Sequence, residues 1–309
     1  MNNRIFYPDA LNHCYQRSHD HGVLFYTVRD HLVYFSIFCV MAQRHNVHVI
    51  KLVQMPNHTH HSNFVQTRKQ LCDFSRDLTS TFARERNRTF GLKGPVFETP
   101  FSSAVKRSDK NIRTCLIYLD NNPVERKLAK RAEEYRWNYL AYSQSNHPFS
   151  EKLTLRNASM PLRRAIASVK RMHSQGRYLG YRFLEKLFEN ISTKREQNQL
   201  IDFIVSTYSV IDHAAAIQYF DCYERELIAA HATKGSEYDI KEPFIGKSDA
   251  CFARFSAILL KKGCCTDIHE LLSWSPEKKM EMAELLQRET SAPRRLVSAY
   301  LHLPVDAIV

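Results

Sequence analysis

The chain has 309 residues, 44% hydrophobic and 25% charged, with only 8 glycines and 11 prolines, a composition that excludes a collagenous, low-complexity or wholly disordered protein. Lys and Arg outnumber Asp and Glu by 44 to 32, for a net charge of +12, and the excess is uneven: +9 over 1–150, +8 over 151–195 and −5 over 196–309. The longest apolar stretch, 33–42, is about half of a bilayer span, so the basic two thirds point to nucleic acid rather than membrane.

The first residues, Met-Asn-Asn-Arg-Ile-Phe-Tyr-Pro, lack the basic start and long apolar core of an export signal, so the chain is expected to stay in the cytoplasm, associated with the nucleoid. An early strand is predicted over 13–17. Over 30–44, Leu32, Val33, Phe35, Ile37, Phe38, Val40 and Met41 recur at helical spacing, with Asp30 as N-terminal cap. Segments 47–55 and 58–66 read as antiparallel strands joined by a Pro56-Asn57 turn. Leu71, Phe74, Leu78 and Phe82 mark a helix over 68–87, ahead of Gly91 and Gly94. Segment 96–106 reads as extended and interrupted at Pro100. Asp109 caps a third helix, expected to stop near Asn122 because Pro123 disfavours the α conformation before it.

Strand, helix, strand, strand, helix, strand, helix is an α+β order. It matches the ferredoxin-like plan, an antiparallel sheet with helices on one face and the other face left for a ligand. Residues 1–150 form this domain, and 151–195, basic and poor in periodicity, read as a connector lying along something anionic. An all-α C-terminal domain follows over 196–309, with helices predicted at 200–208, 213–231, 250–261, 267–272, 276–288 and 292–301. Within it, 277–302 reads either as a helix-turn-helix carrying Arg294 and Arg295 on its second helix or, given the local negative charge, as a packing bundle. The eight cysteines form no C-x-x-C pair, which argues against a zinc site or a disulfide framework and for reduced, mostly buried thiols.

Two segments carry candidate chemistry. In Pro56-Asn57-His58-Thr59-His60-His61, His58 and His60 stand at i and i+2 of a strand and share a face, where two imidazoles can chelate one divalent metal. Fifteen histidines also produce such pairs by chance, so spacing leaves both readings open. Ser62 and Asn63 stand where an H-x-H-x-D-H zinc site would need its acid. His61, on the opposite face, reads as structural or solvent-facing. In Tyr118-Leu119-Asp120-Asn121-Asn122-Pro123-Val124, Tyr118 and Asn122 share a helix face at i and i+4. Tyr118 could serve as nucleophile and Asn122 as amide-oxygen ligand, or the tyrosine could simply pack. Arg68, Lys69, Arg76, Arg84, Arg86, Arg88, Lys106 and Arg107 are candidate phosphate contacts. Among Tyr135, Trp137, Tyr139 and Tyr142, Trp137 is the candidate platform for an unpaired base, with core packing the competing reading.

Met55-Pro56-Asn57-His58-Thr59-His60 resembles the His–hydrophobic–His strand of the HUH single-tyrosine transposases. Tyr118-Leu119-Asp120-Asn121-Asn122-Pro123-Val124 resembles the tyrosine helix of their REP-associated branch. The likeness extends over about 10–145, including His13 and Tyr15 on the leading strand, Leu24-Phe25, Gly94-Pro95-Val96-Phe97 and Tyr135-Arg136-Trp137. It implies a divalent ion, Mg²⁺ or Mn²⁺, held by His58, His60 and Asn122. Tyr118 would then attack a DNA phosphodiester to leave a 5′-phosphotyrosine and a free 3′-hydroxyl. The implied partner is single-stranded or hairpin DNA at hairpin-bearing repeats, and related enzymes occur both as homodimers and as monomers. Thr59 departs from the usual bulky hydrophobe and puts the packing beneath the ligands in question. The alternative function is therefore a noncatalytic nucleic-acid-binding protein derived from such a transposase.

Overall fold

The computed structural model describes residues 6–232 and 249–304. Residues 1–5, where the expectation about an export signal begins, lie outside that range. Four strands, β1 (Leu11–Arg17), β2 (His48–Met55), β3 (His58–Phe64) and β4 (Ser102–Lys106), form one antiparallel sheet in the order β2-β3-β1-β4. Helix α1 (Val28–Arg44) joins β1 to β2, and α2 (Arg68–Phe90) joins β3 to β4. This is the α+β plan expected from the sequence.

Both connecting helices lie on one face of the sheet: Tyr34 and Phe38 of α1 and Phe74 of α2 meet Thr59 and His61 of β3. Every residue of α1 from Asp30 to Ala42 is buried, because α2, α5 and α6 cover the sides the sheet does not. The cap of α1 is Thr27, not Asp30. Asp30 sits three residues inside and closes a capping box by accepting from the Thr27 backbone. Helix α2 runs to Phe90 and ends on Gly91, whose φ of 67° suits a residue without a side chain.

Helix α3 (Asp109–Glu125), capped by Ser108, crosses the face that the sequence left open. It contacts β2 and β4 and buries Cys115, Tyr118 and Leu119 against Val53 and Met55. It also continues through Pro123. A proline in the last turn removes only the bond its own nitrogen would have donated, and Arg126 N still bonds Asn122 O at 3.1 Å.

The basic segment after residue 150 is not an aperiodic connector. Helices α4 (Met160–Ser174), α5 (Tyr181–Phe188) and α6 (Lys194–Tyr208) place Leu162, Ile166, Val169, Leu184, Leu200 and Ile204 in the main core beneath α1. The predicted helix over 213–231 is broken into α7 (His213–Ile217) and α8 (Tyr223–Ala232), which pack toward β2 and α3. Helices α9 (Cys251–Lys261), α10 (Pro276–Thr290) and α11 (Arg294–Leu301) enclose a second core that also takes in Val23. Helices α10 and α11 flank a turn at Ser291, but Leu296 to Leu301 are all buried, and Val23 N and Tyr26 Oη bond the Ala299 and Tyr300 carbonyls. Arg294 and Arg295, at the start of α11, remain exposed. No helix among the described residues is long and apolar enough to cross a membrane.

Candidate active site

The register of β1 and β3 sets the site. Tyr15 stands opposite His60 and Arg17 opposite His58, so alternation puts His13, Tyr15, Arg17, His58 and His60 on the face crossed by α3. The His58 and His60 rings meet edge-on with centroids 5.0 Å apart. From α3, the Tyr118 ring stands 5.5 Å from that of His60 and 5.8 Å from that of His13. The Asn122 amide nitrogen lies 3.1 Å from the Tyr118 hydroxyl and 3.3 Å from His60 Nε2. Residues more than 50 positions apart thus converge, and the pairing of Tyr118 with Asn122 at one helical turn is as the sequence predicts.

The hydrogen bonds constrain the tautomers. His58 Nδ1 lies 2.7 Å from Asn57 Oδ1, whose own amide nitrogen donates to the His21 carbonyl. Nδ1 of His58 is therefore the protonated nitrogen and Nε2 carries the lone pair. Asn122 donates to His60 Nε2, so the Nδ1 proton of His60 points to His13 Nε2, 3.0 Å away. Both Nε2 atoms then have the lone pair a metal requires. The Asn122 Oδ1 is buried and makes no hydrogen bond among the described residues, and rotating the amide would put this oxygen beside His60 Nε2. Two neutral imidazoles and one amide oxygen suit a divalent cation. No cluster of three or more His, Cys, Asp or Glu side chains among the described residues could hold one, so a metal here would depend on Asn122.

Thr59 turns away from the site and is fully buried. Its hydroxyl lies 3.0 Å from that of Tyr34, so the polar atom in the place of a hydrophobe is satisfied and the layer beneath the histidines remains packed. His61 is structural. It lies edge-on to Phe38 and Phe74 and accepts from the Asn63 amide, and burial holds it neutral with a pKa down at about 3.

Several predicted contacts fall elsewhere. Arg68, Lys69, Arg76, Arg84 and Arg88 are exposed, but they ride on α2, across the sheet from Tyr118. Lys69 and Arg76 are held by Asp73, and Arg88 by Glu85. Arg86 is buried, which removes it from the surface contacts. Lys106 lies on the site face but is also buried, whereas Arg107 is exposed and covers the Tyr7 ring. Trp137 stacks on His31 at 4.2 Å with an interplanar angle of 6°, on the α1 side of the sheet, so its ring is already occupied. Tyr135 bonds the Gln54 carbonyl, and Tyr139 and Tyr142 are buried in the main core.

Sequence reasoning gave no role to Arg17, although its i, i+2 spacing from Tyr15 and His13 was a legible signal. It also passed over Lys51, a cation inside an apolar strand. Lys51 Nζ lies 2.6 Å from both oxygens of Asp120 on α3 and 2.7 Å from Glu226 on α8. Burial, with Glu226 adding to it against the pull of Lys51, pushes the Asp120 carboxyl up to about 7.

The chain matches no protein-family model and no curated protein. A solved structure of a REP-associated tyrosine transposase bound to a REP hairpin is similar to it at 15% identity and a TM-score of 0.40, over 52% of this chain and 94% of that one.

Proposed function

We propose that the chain is a metal-dependent transesterase acting on single-stranded DNA at hairpin-bearing repeats, with Tyr118 as the nucleophile. The observation that carries this reading is the convergence of the Tyr118 hydroxyl, the Asn122 amide and the His60 imidazole, with His58 beside them, on one sheet face. Tyr118 Oη forms a bond to phosphorus as the P–O3′ bond breaks; the phenolic proton departs and the 3′ oxygen takes one up. The products are a 5′-phosphotyrosine and a 3′-hydroxyl, and the retained ester conserves the energy for rejoining. Mg²⁺ or Mn²⁺ bound by His58, His60 and Asn122 would neutralise charge on a nonbridging phosphate oxygen.

The site is closed, with Tyr118 only 6% exposed and His60 fully buried. DNA therefore reaches Tyr118 only after the cover over this face shifts. That closure is the observation favouring the alternative, a noncatalytic nucleic-acid-binding protein on the same scaffold.

The deciding experiment incubates the protein and end-labelled hairpin oligonucleotides from repeats of its own genome with Mg²⁺ or Mn²⁺. A denaturation-resistant protein–DNA adduct is expected with wild type and not with Tyr118→Phe, which removes one oxygen and keeps the packed ring. A Tyr118→Phe protein that forms adduct as fast as wild type, or a wild type that forms none, overturns the transesterase reading. Retained binding without adduct assigns the binding alternative.

A further inference from the structure

We infer that Arg17 is the phosphate-binding cation of this site, gripping the nonbridging oxygens of the phosphodiester that Tyr118 attacks. The inference rests on the transesterase reading for its substrate, but the anion site it describes stands on separate observations. Arg17 is the last residue of β1, opposite His58 in the register, and its guanidinium lies 5.2 Å from the centre of the Tyr15 ring. That ring in turn lies 4.9 Å from His60 and 5.5 Å from His58. Arg17 is only 7% exposed, yet its side chain makes no ion pair with a carboxylate among the described residues. Its one side-chain hydrogen bond among the described residues is a long 3.4 Å contact from Nη1 to His21 Nδ1.

The nearest carboxylate along this path, Glu98, reaches His21 Nδ1 at 3.6 Å rather than the guanidinium itself. A guanidinium largely withdrawn from water and not directly paired is costly, and the cost is offset when an anion occupies its donors. Its planar fork of five N–H groups matches two oxygens of one phosphate, a geometry an ammonium does not offer. The basic residues proposed on α2 do not compete for this role: they are across the sheet, and Lys69, Arg76 and Arg88 already have carboxylate partners. Position also favours Arg17. The chain leaves β1 into exposed His19 and Asp20, and His21 beside the guanidinium is half-exposed. Arg17 therefore stands where the buried face approaches solvent, and a phosphate entering from that rim meets it before reaching Tyr118. In the transition state, charge accumulates on the equatorial oxygens as the Tyr118 Oη–P bond forms and the P–O3′ bond breaks. Arg17 neutralises part of it and exchanges no proton.

Two measurements test this, one of them independent of catalysis. In thermal unfolding at matched ionic strength, replacing chloride by inorganic phosphate should raise the Tm of wild type. It should do the same for an Arg84→Gln control and leave Arg17→Gln unmoved. Arg17→Met should be at least as stable as wild type in chloride, because it removes a buried charge; a merely structural arginine would lower the Tm. An equal phosphate response in wild type and Arg17→Gln, or none in wild type, overturns the anion site.

In the adduct assay, Arg17→Gln should slow formation by roughly 100-fold or more, the scale seen on losing one transition-state donor, with Arg17→Lys partly restoring it. A neutral methylphosphonate at the scissile position should slow wild type strongly and Arg17→Gln much less. Equal slowing of both proteins, or adduct formation by Arg17→Gln at the wild-type rate, refutes the role in catalysis. A wild type that forms no adduct but shows the Arg17-dependent phosphate response refutes the transesterase reading and leaves the anion site standing.

Discussion

What holds α3 over the histidines can be tested through Lys51. Its ammonium faces two carboxylates, Asp120 on α3 and Glu226 on α8, and all three side chains are at most 3% exposed. Lys51→Met keeps the apolar stem and deletes the charge, leaving two acids facing each other inside the protein. Breaking a buried ion pair from one side costs about 3–5 kcal/mol. Because burial and the nearby Glu226 already raise the Asp120 carboxyl, it takes up a proton more readily once Lys51 is gone and offsets part of that loss, so we expect about 3 kcal/mol. With a shift of roughly 2–4 °C per kcal/mol for a unit of this size, the Tm should fall by roughly 6–12 °C. The triple variant Lys51→Met, Asp120→Leu, Glu226→Met removes the stranded charges and should recover most of the loss, since apolar groups of similar volume often replace buried ion pairs without penalty. Far-UV circular dichroism melts at neutral and mildly acid pH measure both effects, and the penalty for Lys51→Met should shrink in acid as the carboxylates protonate. A Lys51→Met protein within about 2 °C of wild type, which corresponds to about 1 kcal/mol or less, would refute the account. So would a triple variant as unstable as the single one, which would place the loss in packing rather than charge.

Two further predictions concern pH. Burial holds His31, stacked on Trp137, at about 4 and His61 at about 3, both below the ordinary 6.5. Their neutral forms support the fold fully above pH 6.5, and each should withdraw up to ~1.4 kcal/mol per pH unit as the pH falls toward those values. Asp120, raised in the fold, acts in the opposite sense between 3.8 and 7, so the histidine contribution is best read as the shallower acid slope of His31→Gln. His269 behaves in reverse. Burial disfavours its charge, but Asp30 and Asp267 bonded to its two nitrogens raise it to about 9. Its contribution to seating the α9–α11 unit on α1 is complete below 6.5 and fades as the pH rises through 9, amounting to roughly 3 kcal/mol. Limited proteolysis across that range should release the unit progressively in wild type and without pH dependence in His269→Gln; a pH-independent wild type would contradict it.

Local rules were enough to place the strands, the existence and starting turns of α2 and α3 though not their ends at Phe90 and Glu125, and the i, i+2 and i, i+4 pairings of His58 with His60 and Tyr118 with Asn122. These depend on strand alternation and helical pitch, which a sequence carries directly. The α+β order followed from the same periodicities. The buried helices α4 and α5 did not, because a basic face conceals an apolar stripe when charge is counted by segment rather than by side; nor did the break at 218–222, where continuous helical spacing carries no stop signal. The number of residues that make the site was likewise not a local matter. That α3 covers the histidine face, that Lys51 meets Asp120 and Glu226, and that Arg17 lies beside His58 are consequences of the β1–β3 register and of packing between segments up to 175 residues apart. Exposure was the other quantity only tertiary structure could decide. Arg84 and Arg86 look alike in sequence, yet one is solvated and the other buried, and Trp137 is taken by His31 rather than offered to a base. A residue type declares what chemistry a side chain can do, but what surrounds the side chain is settled by chain segments that no local pattern brings together.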